Sequence, residues 1–64
     1  MSDFLICLTE EEINHAYLAV NKATIRNGNE DAVKVFESVL EKLRPYAGEA
    51  TKMAADLMRI TNTY

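Results

Sequence analysis

Cys7, His15 and the carboxylate run Glu10-Glu11-Glu12 are the side chains of this sequence with the greatest capacity for chemistry. A thiol placed just before a helix N-terminus can lose its proton to the helix dipole and become a nucleophile. Three neighbouring carboxylates oppose a thiolate, however, and Ile6 and Leu8 flank it, so Cys7 is expected to be a buried structural cysteine. His15 follows Glu11 by one helical turn, which offers two ligands of a metal site; a structural zinc site takes four protein ligands and a catalytic one three. It reads instead as a solvent-exposed histidine beside Glu11 or Glu12. The three carboxylates complement the positive end of a helix dipole and need no acid-base role. Two separated glycines make no phosphate loop, and no spacing assembles a Ser-His-Asp set. The sequence therefore predicts no catalytic residue, no cofactor and no metal.

The helix that places these groups is written out in Leu8-Thr9-Glu10-Glu11-Glu12-Ile13. Thr9 and Glu12 have the spacing of a capping box, and Leu8 and Ile13 that of a hydrophobic staple. This first helix is predicted over about 10–26, with Asn27-Gly28 as a left-handed stop and Lys22 and Arg26 at its negative end. Asn29 caps a second helix over about 30–44, ended by Pro45. A third follows over about 48–60, either opened by Pro45 or preceded by a loop through Tyr46, Ala47 and Gly48.

Placing residues 100° apart around each axis separates the faces. The second helix has Ala32, Val35, Phe36, Val39 and Leu43 as a central stripe, with Val33 and Leu40 beside it. On the third, Ala50, Met53, Ala54, Leu57, Met58 and Ile60 form the side expected in the core, and Glu49, Lys52, Asp56 and Arg59 the side expected in water. The first helix has two apolar seams. Ile13, Ala16, Tyr17, Val20, Ala23 and Thr24 make one; Asn14, Leu18, Asn21 and Ile25, spaced i, i+4, i+7, i+11, make another. Tyr17 is expected to pack with its hydroxyl at the rim. The second seam needs either the third helix or another subunit to cover it.

The fold expected is all-α: a single small domain over 1–64, a helical hairpin plus a third C-terminal helix, with a short apolar arm over 1–8. A chain of 64 residues buries only about 60% of the surface its unfolded form exposes. Small domains close that gap with disulfides, metals or oligomerisation. One cysteine permits no internal disulfide and favours a reducing compartment. The arm residues Phe4 to Leu8 are too few to span a bilayer, and Asp3 replaces the positive start of a signal peptide, so a cytoplasmic, non-membrane protein is expected.

Seven Lys and Arg stand against ten Asp and Glu, for a net charge of −3. The positives are dispersed, without the basic stripe of a nucleic-acid binder. The function expected is a non-enzymatic protein-protein interaction module, a homodimer in which Phe4, Leu5 and Ile6 of the arm and Leu18, Asn21 and Ile25 of the second seam bury one another. In size, acidity and its Leu8-Thr9-x-Glu11-Glu12-Ile13 opening the chain resembles small accessory and inhibitory proteins of bacteria and their phages. That resemblance implies stoichiometric inhibition of a larger protein partner. Two alternatives stand beside it. One is a small-ligand binder in which Arg44, Arg59, Lys22 or Arg26 clamps a nucleotide or other anion between subunits. The other is a helix-turn-helix-like nucleic-acid binder reading with the second or third helix.

Overall fold

Thr9 begins the first helix by accepting the N–H of Glu12 on its side chain at 3.1 Å, while the Glu12 carboxylate accepts the Thr9 N–H at 2.8 Å. Both halves of the capping box are formed. In the computed structural model, which describes residues 3–61, this opens α1 (Glu10–Arg26), followed by α2 (Glu30–Leu43), a 3-10 turn over Arg44–Tyr46, and α3 (Glu49–Thr61). Residues 3–9 ahead of α1 form an exposed arm without regular structure. The domain is all-α, with no strand among the described residues. No helix among them is long and apolar enough to cross a membrane.

The three-residue link between α1 and α2 departs from the expected left-handed stop. Asn27 is extended, at φ −88° and ψ 130°, and no glycine among the described residues has positive φ. Side chains make such a stop unnecessary: Asn27 Oδ1 accepts the N–H of Asn29 at 2.7 Å, and Asn29 Oδ1 accepts those of Asp31 at 2.9 Å and Ala32 at 3.3 Å. Pro45 neither opens α3 nor merely follows a helix. It occupies the 3-10 turn, where its missing N–H costs nothing, and the Ala47 N–H closes that turn on the carbonyls of Leu43 and Arg44 at 3.1 and 3.2 Å.

Helix α1 packs against both others, whereas α2 and α3 have almost no contact with each other. The body is flat, 37 × 30 × 14 Å. Little of it is interior: the buried apolar side chains are Tyr17, Leu40, Ala47 and Ala55, with Ile13, Leu18, Val20 and Leu43 half-buried around them. The centre of α2 is therefore Leu40, expected only as a flank, while Val35, expected at the centre, is exposed. Tyr17 is at the core as expected, its hydroxyl accepting from Arg44 Nη1 at 2.9 Å.

Helix α3 lies along the second seam of α1. Asn14 Oδ1 accepts the Gly48 N–H at 2.8 Å, and Asn21 Nδ2 donates to the Ala55 carbonyl at 3.1 Å. Seven residues separate the two anchors on α1, and seven separate Gly48, just ahead of α3, from Ala55, so α1 and α3 run parallel in step. That seam was expected at an interface between copies. Inside one chain, Asn21 is 1% exposed and Leu18 and Ile25 are half-buried.

Candidate interaction surface

The contact with Asn21 dictates how α3 is turned. A side-chain amide reaches a backbone carbonyl only where two helices approach closely, and Ala55, 1% exposed, provides that approach. The Ala55 oxygen can take a second donor beyond its own helix bond because a carbonyl has two lone pairs. Arg59, one turn on, donates Nε–H to Asn21 Oδ1 at 2.8 Å. Both ends of the Asn21 amide are thus held by α3, and no buried side-chain N or O among the described residues lacks a partner.

This seating turns part of the expected core side of α3 outward, while Ala54 and Met58 of that side stay half-buried and Glu49 and Asp56 are exposed as expected. Residues 53, 57 and 60 lie across the helix from 55 at 100° per residue, and Met53, Leu57 and Ile60 are 64, 58 and 61% exposed, with Ala50 exposed beside them. Arg59 is exposed as expected while its Nε–H reaches Asn21, whereas Lys52, also expected in water, leans toward the packed side. Lys52 is half-buried and pairs with Glu49 at 3.1 Å. The physical cause is competition between α3's apolar stripe and its polar anchors for α1. The seam offered by α1 contains two asparagines, which hydrogen-bond partners satisfy and a stripe of Met, Leu and Ile would leave unpaired.

A second apolar surface is the arm. Phe4, Leu5 and Ile6 are 82, 104 and 77% exposed. Cys7, expected to be buried, is exposed as well, because no helix packs over the arm. Nine large apolar side chains are exposed among the described residues, seven of them on the arm and the α3 stripe.

Between α2 and α3 runs a groove of about 680 Å³, floored by Tyr17 and Leu40. Two ion pairs cross or edge it: Arg59–Glu37 at 3.3 Å, and Arg44–Asp56 at 3.7 Å. Tyr17 and Asp56 together stabilise the charged form of Arg44, the Tyr17 hydrogen bond first. Arg44 and Arg59, two of the four cations expected to clamp an anion, are thus already opposed by carboxylates of the same chain. Lys22 and Arg26 are exposed on α1 and do not line this groove.

No known family, curated protein or solved structure matches this chain.

His15 is exposed, and among the described residues no group of three or more His, Cys, Asp or Glu side chains is placed to hold a metal ion. Of the residues expected at an interface, the structure leaves Phe4, Leu5 and Ile6 open, half-covers Leu18 and Ile25, and encloses Asn21. Met53, Leu57 and Ile60 were missed as surface residues. No spacing sets them apart from a core stripe, since Ala54 and Met58 widen the same side of the helix.

Proposed function

We propose that this protein is a non-enzymatic, self-associating interaction module that acts by stoichiometric binding to other proteins, in the manner of a small accessory or inhibitory protein. The observation that carries this reading is the seating of α3, which spends its small and polar face on α1 and turns Met53, Leu57 and Ile60 to solvent. A helix that gained its stability only from its own chain would bury that stripe. The unpacked arm adds apolar surface of the same kind.

The experiment compares wild type with Leu57→Asp, Ile60→Asp by light scattering over a concentration series, and by exchange protection of the α3 amides. The expected result is a concentration-dependent mass increase in wild type that the variant loses while keeping its helical content. A wild type that stays at the mass of one chain throughout, and whose α3 stripe no protein protects, would remove the proposal.

A further inference from the structure

We infer that the α3 stripe of one copy is covered by the apolar arm of a second copy, each chain lending its arm to the other. This rests on the self-associating reading above and names which surfaces meet. The first support is area. Taking about 150 Å² of apolar surface for a large side chain fully open to water, the low end of the aromatic range, the exposures of Phe4, Leu5, Ile6, Met53, Leu57 and Ile60 amount to about 670 Å² per copy. A standard stable interface takes about 800 Å² from each partner. Arm and stripe of one chain thus supply most of one side of a standard interface, and two chains supply most of both.

The second support is charge. The arm carries no ionisable side chain from Phe4 to Leu8 other than the thiol of Cys7. Glu49 and Asp56 lie together on one edge of the α3 stripe at 100° per residue. Each is paired within its own chain, Glu49 to Lys52 at 3.1 Å and Asp56 to Arg44 at 3.7 Å, so an uncharged segment such as Phe4 to Leu8 can lie along that edge without displacing either pair. The third is placement. Gly48, just ahead of α3, lies beside Asn14 near the start of α1, so the arm leaves the body at the end where α3 begins. A neighbouring copy related by a twofold axis at that end brings each arm to the other's α3 in an isologous contact.

Cys7, the single and exposed cysteine, makes the contact directly testable. Full-length protein carrying a nitroxide on Cys7 is mixed with isotope-labelled Cys7→Ser protein, and amide broadening is read in the second population. The expected result is broadening centred on Met53, Leu57 and Ile60 of the isotope-labelled copies, together with a mass twice the 7.2 kDa of one chain. Leu5→Asp, Ile6→Asp should abolish both. Two outcomes overturn the inference: a dimer with no broadening on α3 of the isotope-labelled copies, or a dimer that survives the arm substitutions. In each of these the interaction-module reading stands as long as Leu57→Asp, Ile60→Asp still abolishes association. If those stripe substitutions leave mass and protection unchanged, the broader reading falls as well.

Discussion

Asn21 on α1 and Arg59 on α3 are joined at 2.8 Å, Oδ1 accepting from Nε, while the other end of the same amide donates to the Ala55 carbonyl at 3.1 Å. This pairing fixes the rotation of α3 about its own axis. Neighbouring Arg59 also reaches Glu37 on α2, so one guanidinium ties the third helix to both of the others.

Replacing Asn21 with Ala should therefore cost more than its size suggests. The Ala55 carbonyl keeps its helix bond, but the buried amide contacts are lost and Arg59 Nε loses its acceptor, for a loss of about 2 kcal/mol. Amide exchange should rise first along α3 and only later in α1 and α2. Uniform loss of protection over all three helices would contradict a local anchoring role.

The ion pairs across the groove should matter much less. Glu37→Gln and Asp56→Asn each remove one partner of a half-exposed pair, and such pairs contribute below about 1 kcal/mol. Urea midpoints of both variants should stay close to wild type and converge further on adding salt. A large drop for either would place these pairs beside Asn21 as anchors.

Leu57→Ser separates an exposed stripe from a core. A buried leucine truncated to a small side chain costs about 2 to 5 kcal/mol, whereas a surface change stays within about 0.5 kcal/mol. With Leu57 58% exposed, unfolding at low protein concentration should be nearly unchanged. Any loss should appear only as concentration rises and wild type gains stability from association.

At the start of α1 the capping box predicts both a stability change and its pH window. Thr9→Ala removes the acceptor for the Glu12 N–H and should cost about 1 kcal/mol, which lowers the melting temperature by roughly 4–8 °C in a domain this small. Hydrogen bonds from the Thr9 backbone and then its side chain lower the Glu12 pKa below the usual 4.5. A carboxyl with a lower pKa in the folded chain contributes stability at pH values above 4.5 and loses it as the pH falls through the lowered folded value. Glu12→Gln, which removes the charge, should flatten the acid limb of the melting curve. An unchanged acid limb would show that other carboxyls govern it.

The ends of the helices were legible in the chain itself because caps are local chemistry. Thr9 with Glu12, and Asn29 with the two amides after it, act over two or three residues and leave their mark in any fold. The same holds for the two seams of α1, which follow from side-chain spacing alone. Left open was the choice between α3 and another subunit as the cover of the second seam, since periodicity records which residues share a face and not what meets it.

Tertiary structure decided which face of α3 turns inward. By apolar content the stripe of Met53, Leu57 and Ile60 belonged in the core, and Arg59 in water. Two asparagines on α1 turned that stripe outward, because a buried amide demands hydrogen-bond partners in fixed directions, whereas apolar side chains are satisfied by any dry contact, including one offered by another molecule. Local spacing thus determined three helices and their boundaries; the directional bonding of Asn14 and Asn21 decided how the third was rotated, and so which surface the protein shows.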